Sequence, residues 1–253
     1  MQTYICDSLF IPLRSAPSHR SEMLSQILFG ERYVITDSVG SWIRIGTLFD
    51  KYNGWIDTHH HGKPVESEDS EGLVLNRTLV CFRNDGSRLI LEAGCEIHEP
   101  DYEKKSFVTG SHVFTTEKDF SSSFTDPQNS LPDTAMKFIN SPYIWGGRLP
   151  SGIDCSGFTQ LVYKLCGTAI PRDAHMQAAK GETISFMEET LPGDLVFFEN
   201  DRGRISHVGM ILSAGLIIHA SGRVRIDTVD HYGIFRTDSG SYSHRLRLIK
   251  RIV

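Results

Sequence analysis

From residue 1 to about residue 125 the chain offers no helix of convincing length, only short runs in which apolar and polar residues alternate. Successive side chains of a strand point to opposite faces, so a period of two marks one buried and one wet face. "SQILFGERYVITDSVGSWIRIGTL" alternates, breaks at Ser38-Val39-Gly40 and alternates again, and "KYNGWID" carries an Asn-Gly turn signal ahead of a short strand. Residues 63–125 repeat the style, with Asp85-Gly86 and Gly94 as turns. Two small β-barrels are expected, over residues 1–62 and 63–125. The polar, acidic "HHHGKPVESEDSEG" between them reads as a linker, its histidines solvated rather than metal-binding.

The texture then changes. "FSSSFTDPQNSLPDTAMKF" is polar and ends in a helix start at Asp133, with Ala135, Met136 and Ile139 able to share a face. After Cys155, the apolar residues Phe158, Leu161, Val162 and Leu165 fall at i, i+3, i+4 and i+7, one face of a helix ending near Gly167. Strands follow in "GDLVFFE", "SHVGMILS", "LIIHAS" and "HRLRLIKRIV". Residues 126–253 are therefore expected to form an α+β domain, a helix packed on an antiparallel sheet.

The net charge of −5, without a basic block, argues against nucleic acid or an anionic membrane as partner. No run approaches the roughly 18 to 20 apolar residues of a membrane span, and the N-terminus lacks the charged and apolar regions of a leader. A cytoplasmic monomer is expected, periplasmic or secreted if a leader has been removed. The five cysteines are odd in number, widely spaced and free of C-x-x-C, which is no disulfide framework.

Cys155 lies where the helix begins, at about Ser156, and unpaired N–H groups with the helix macrodipole lower a thiol's pKa there. Gly152 and Gly157 leave room for a substrate backbone. On position alone, nucleophile and small core residue remain equal readings. His207 and His219 add weight to the first. They lie symmetrically about a turn at Ser213-Ala214-Gly215 and are expected to face each other across a hairpin, within one residue of register. One imidazole can take the thiol proton while the other orients the first. Zinc is disfavoured: Cys155 and Cys166 are eleven apart and no second thiol adjoins the histidines. "WGGRLPSG" lacks the Gly-Lys-Ser/Thr ending of a phosphate loop.

The ordered series "PYIWGG", "GIDCSGFTQLVY", "IPRDAHMQ", "LPGDLVFF", "ISHVGM" and "IIHASG", spread over residues 132–253, resembles the NlpC/p60 family of papain-like cysteine peptidases. The family cleaves bacterial cell-wall peptides, commonly after γ-linked D-glutamate. The resemblance implies Cys155 as nucleophile, His207 as base and His219 as orienting residue, with no metal or organic cofactor. The N-terminal segments resemble bacterial SH3b domains. "LRSAPSHRSEMLSQILFGE" is similar to the first SH3b domain of the γ-D-glutamyl-L-diamino-acid endopeptidases that recycle murein peptides. In that subgroup an acidic residue and a tyrosine cap the substrate's free N-terminal L-alanine; the matching positions are Glu22 and Tyr52. The resemblance further implies Asp154 and Ser156 beside the nucleophile, Asp154 also receiving the ammonium. It makes Tyr143 and Trp145 a wall near the thiol, and Arg172 a clamp for the D-glutamate α-carboxylate or a partner of Asp173. Ala174 stands where some relatives have Ser, which removes a hydroxyl from the pocket. The expected reaction releases L-lysine or meso-diaminopimelate from a murein peptide. The rivals are a lytic endopeptidase acting on intact peptidoglycan and a non-catalytic wall-binding protein, the latter disfavoured by the intact Cys155, His207 and His219.

Overall fold

The alternating segments become strands, and each turn is set by where the backbone must bend or approach closely. A computed structural model describes residues 2–65, 72–121 and 130–252. It divides into two units, Met1–Asp126 and Pro127–Val253.

In the first unit, β1 (Thr3–Ile5), β2 (Phe10–Arg14), β3 (Met23–Leu28), β4 (Arg32–Val39), β5 (Trp42–Thr47), β6 (Asn53–Asp57) and β7 (Lys63–Val65) form an antiparallel sheet ordered β3-β2-β6-β5-β4-β1-β7. It buries Cys6, Ile11, Leu13, Ile27, Tyr33, Ile45 and Ile56 completely; each large aliphatic contributes about 1.5–3 kcal/mol. The Asn-Gly signal is not a turn. The chain reverses through residues 48–52, with Lys51 at φ 58, and Asn53-Gly54 lies inside β6. Gly54 is required by packing, since a Cβ there would sit 2.6 Å from Leu13 Cγ. β7 pairs with β1, so the first sheet runs past residue 62. The histidine run is also more fixed than a solvated linker. Tyr33 Oη lies 3.0 Å from His61 Nδ1 and accepts from Gly62 N at 2.7 Å. Residues 66–71 of the expected linker lie outside the described residues.

The second sheet contains β8 (Leu73–Val74), β9 (Leu79–Arg83), β10 (Arg88–Leu91), β11 (Glu96–Asp101), β12 (Ser106–Thr109) and β13 (His112–Thr115), ordered β10-β9-β13-β12-β11-β8. Gly86 and Gly94 turn the chain at φ +86 and +95. Phe29 packs edge-on against Phe114 at 5.2 Å, and Glu96 N donates to Phe29 O at 2.8 Å, joining the two sheets.

The second unit runs α1 (Leu131–Met136), β14 (Arg148–Leu149), β15 (Gly152–Ile153), α2 (Cys155–Leu165), α3 (Ala174–Gln177), β16 (Glu182–Ile184), β17 (Leu195–Glu199), β18 (Ile205–Ser213), β19 (Leu216–Ser221), β20 (Arg223–Val229), β21 (Gly233–Arg236) and β22 (Ser241–Arg251). The large sheet is ordered β16-β22-β17-β18-β19-β20-β21, and β22 pairs back onto β21. Among the described residues this closes six strands into a barrel, which removes most exposed edges. The face expected on α1 is weak: Ala135 is buried, but Met136 and Ile139 are exposed.

The period read in α2 suggested one apolar face, yet every residue of the helix is buried. Its polar side is satisfied internally. Arg148 Nε donates to Gln160 Oε1 at 2.8 Å, and Gln160 Nε2 donates to Ile170 O at 3.1 Å. Thr159 Oγ1 donates to Gln177 Oε1 at 2.8 Å. Hydrogen bonding makes such burial tolerable. The consequence is a rigid mount for the residue at the helix start.

Candidate active site

Asp154 has extended backbone and caps α2, accepting from Gly157 N at 2.7 Å. The same carboxylate accepts from Gly146 N at 2.8 Å. It also takes both arms of the Arg172 guanidinium, Nη1 to Oδ1 at 3.0 Å and Nη2 to Oδ2 at 2.5 Å. Arg172 Nη1 reaches Ser156 Oγ at 2.8 Å as well. Arg172 is 1% exposed. These contacts set Arg172 against Asp154 and Ser156 and give both Asp154 oxygens donors within the protein. A charge buried this deeply must be paired, and Asp154 is the partner. Asp173 precedes α3, its carbonyl accepting from Gln177 N at 2.9 Å, and its charge also favours the Arg172 cation.

The glycines around this knot serve packing rather than substrate. A Cβ on Gly157 would lie 2.2 Å from Gly147 O, and one on Gly152 would lie 2.4 Å from Ile144 Cδ1. Together the ion pair and the close-packed glycines fix the first turn of α2.

Cys155 is the first residue of α2 and is 6% exposed. Burial pushes its thiol up to about 12, and the Asp154 charge acts in the same direction. The N–H groups of Val208 and Ser156 and the Arg172 charge pull the other way. A thiol acidified by the helix terminus was expected; in this closed site desolvation outweighs the helix. The resting sulfur is a neutral thiol. Its contact with the Val208 N–H sets it beside the strand position next to His207.

His207 and His219 come together as expected, but by a different register. Gly209 pairs with His219, so His207 lies two residues along, on the same face. The intervening turn is Ala214-Gly215, with Gly215 at φ +73. His207 Nε2 is 2.8 Å from His219 Nδ1, and His219 Nε2 is 2.9 Å from Asp227 Oδ2. Asp227 Oδ1 accepts from Arg225 Nη2 at 2.7 Å. The Asp227 carboxyl is held below its ordinary range by hydrogen bonds from His219 and Arg225, which outweigh its desolvation. An ionised Asp227 accepts, so His219 donates through Nε2 and accepts at Nδ1 from His207 Nε2–H. That leaves His207 Nδ1 with its lone pair, the form a general base requires. Burial first, then His244 and His219, push His207 well below its usual pKa, so it is neutral.

Three members of this arrangement were not found from sequence. Asp227 and Arg225 alternate in "RVRIDTV", where Arg225 pairs with His219 and Asp227 shares its face two residues on. A period-two reading of that segment could have found them. His244, on β22, stacks on the His207 ring with centroids 4.1 Å apart and planes at 25°. Nothing in the local sequence indicates that contact, which exists only because the barrel closes.

Tyr143 is half-buried, and its phenol is pushed up chiefly by burial. Trp145 is 59% exposed. Glu22 is exposed at the entry to β3, and Tyr52 packs half-buried on the first sheet's core; both belong to the first unit. Among the described residues no group of three or more His, Cys, Asp or Glu is placed to hold a metal ion. A neutral thiol, an oriented neutral imidazole and the start of a buried helix can carry out acyl transfer through a thioester.

Residues 140–239 match the NlpC/P60 family, and residues 13–60 match the bacterial dipeptidyl-peptidase Sh3 domain. The chain is 28% identical over 214 residues to the Gamma-D-glutamyl-L-lysine dipeptidyl-peptidase of Bacillus subtilis (strain 168), covering 78% of this chain and 71% of that protein. It is 26% identical over 231 residues to the protein of the same name from Bacillus cereus, covering 80% and 68%. The fold is similar to the crystal structure of an NlpC/P60 family protein from Bacillus cereus, with a TM-score of 0.82 at 21% identity over 100% of this chain and 99% of that one.

Proposed function

Because residues 140–239 make this chain a member of the NlpC/P60 family of cysteine peptidases, we propose that it hydrolyses the γ-D-glutamyl-L-diamino acid bond of murein peptides bearing a free N-terminal L-alanine. In this reading it is a cytoplasmic, cofactor-free enzyme of cell-wall peptide recycling. The observation that carries the chemistry is the tautomer chain from Asp227 through His219, which leaves His207 Nδ1 as acceptor on the strand that touches the Cys155 sulfur.

The proton of the neutral Cys155 thiol passes to His207 Nδ1 as sulfur bonds to the γ-carbonyl carbon of D-glutamate. The carbonyl π electrons move to oxygen, which meets the Cys155 backbone N–H at the helix start and the Tyr143 phenol. The imidazolium so formed is stabilised through His219 by the Asp227 charge. As the tetrahedral centre collapses, the C–N bond breaks and His207 returns its proton to the leaving α-amine. Water then gives a proton to His207 and its hydroxide to the thioester, freeing the D-glutamyl carboxylate and the thiol.

Glu22 and Tyr52 are the proposed partners of the L-alanine ammonium, a charge that leaves water only against a carboxylate and hydrogen-bond acceptors. The similarity to proteins named Gamma-D-glutamyl-L-lysine dipeptidyl-peptidase supports this substrate. The test is mass spectrometry of products from free L-Ala-γ-D-Glu-L-Lys, its N-acetylated form and intact peptidoglycan. Acetylation is expected to cost at least about a hundredfold in kcat/KM, the scale on which buried polar recognition discriminates. Equal rates, or preferential release from intact wall, overturn the alanine cap and leave a lytic endopeptidase.

A further inference from the structure

The relay through His219 does not by itself fix the plane of the His207 ring. His207 Nε2 meets His219 Nδ1 at 2.8 Å, with the two rings at 86° to each other. One hydrogen bond sets a direction and tolerates rotation about it. The lone pair on Nδ1 lies in the ring plane, so a tilted ring turns its acceptor away from the proton it must take.

What holds the plane comes from a strand that is not a neighbour of β18. β17 lies between β18 and β22, which sets their backbones about 10 Å apart. The His207 and His244 rings nevertheless meet with centroids 4.1 Å apart and planes at 25°. Both ladders of β17 slip at this point. The pairing with β18 shifts between Phe198 and Glu199, and the pairing with β22 shifts between Phe197 and Phe198. Such bulges bend a strand and re-aim its side chains. Here the two imidazoles both pack on Phe198, whose ring centroid lies 5.9 Å from each. His244 is held in turn by Ser243, with Oγ 2.8 Å from Nδ1. Burial pushes His244 down to about 4, so at neutral pH it sets no positive charge against its neighbour.

We propose that His244 is a positioning residue for the base: its ring lies flat on His207, fixes the plane in which the Nδ1 lone pair points, and offers an uncharged aromatic face to the imidazolium formed when the thiol proton arrives. The role rests on the peptidase reaction proposed above and names the side chain that sets the geometry of its base.

The test measures kcat and KM for L-Ala-γ-D-Glu-L-Lys in the wild type, His244→Ala, His244→Leu and His244→Phe, with a thermal melt of each. Leucine fills the space without a planar face, and phenylalanine restores the face without a titrating group. His244→Ala and His244→Leu are expected to lower kcat by about tenfold with KM within about twofold, and His244→Phe to recover most of that loss. A packing role alone would be served by leucine. Wild-type kcat in His244→Leu, or His244→Phe as slow as His244→Leu at an unchanged melting temperature, overturns the positioning role and leaves the reaction standing. Failure of the wild-type chain to cleave any γ-D-glutamyl peptide overturns the reaction, and the role of His244 in it.

Discussion

Each unit of this protein buries a cysteine, and the two sulfurs differ in what opposes their burial. Cys6, fully buried, donates to Ser8 O at 3.2 Å and to Ile27 O at 3.5 Å. Its thiol is pushed well up by burial and by the charges of Asp7 and Glu31, with one opposing N–H from Ser8. Cys155 is also raised by burial and by Asp154, but two N–H groups and the Arg172 guanidinium oppose that, and its neighbouring strand carries an oriented base. Both are neutral thiols at rest. Only one is placed where a thiolate, once formed, is stabilised. Depth of burial therefore does not separate a packing cysteine from a nucleophile; the sign of the surrounding dipoles and the presence of an acceptor do.

The largest effect that would break this contrast is on turnover. Cys155→Ala is expected to reduce hydrolysis of L-Ala-γ-D-Glu-L-Lys by at least about a thousandfold, whereas Cys6→Ala changes it by less than about twofold. Cys6→Ala instead lowers stability by about 1–2 kcal/mol through the cavity it leaves. Product assays and thermal melts on both variants measure this, and loss of activity in the Cys6 variant without unfolding would erase the distinction.

Next in size is Asp227→Asn. An amide presents an N–H to His219 Nε2, turns its tautomer around and sets Nδ1–H against the His207 Nε2–H. A fall of about a hundredfold in kcat, with KM little changed, is expected. An unaltered kcat would remove Asp227 from the relay.

Alkylation sharpens the comparison without substrate. Because burial pushes the Cys155 thiol up to about 12, its rate of reaction with iodoacetamide should still climb above pH 9, with Cys6 unlabelled in the folded protein. A plateau beginning below pH 7 would reveal a preformed thiolate and refute the neutral resting state.

The smallest effect concerns acid. His207 and His219 are pushed below 6.5 by burial, and His244 is pushed by burial to about 4. Between 6.5 and these lower values the unfolded chain binds protons that the folded chain refuses, so stability falls as pH drops below about 6.5. The acid limb of kcat/KM should lie below 6.5 for the same reason. Melting curves and rates between pH 4 and 8 would show it.

The sequence revealed those parts of the site that local periodicity encodes. The spacing from Phe158 to Leu165 placed the helix, and the segments around His207 and His219 placed the hairpin, although a two-residue register offset was invisible in the letters. Asp227 was readable in principle. The Asp154–Arg172 pair was not, because eighteen residues and a third element separate two charges that meet only in the folded interior. His244 was not legible either, since its contact with His207 depends on which strand closes the ring. In the first unit the Asn-Gly pair misled because Gly54 answers to Leu13 across the sheet rather than to its own backbone.

Ring closure by the last strand has a consequence in time. β22 pairs with β17 on one side and β21 on the other, and it carries the imidazole that backs His207. While the chain is still emerging from the ribosome, the sulfur and its two relay histidines are already synthesised, but the barrel has a gap where that strand belongs. The enzyme therefore gains a fully supported base only when synthesis has passed residue 251.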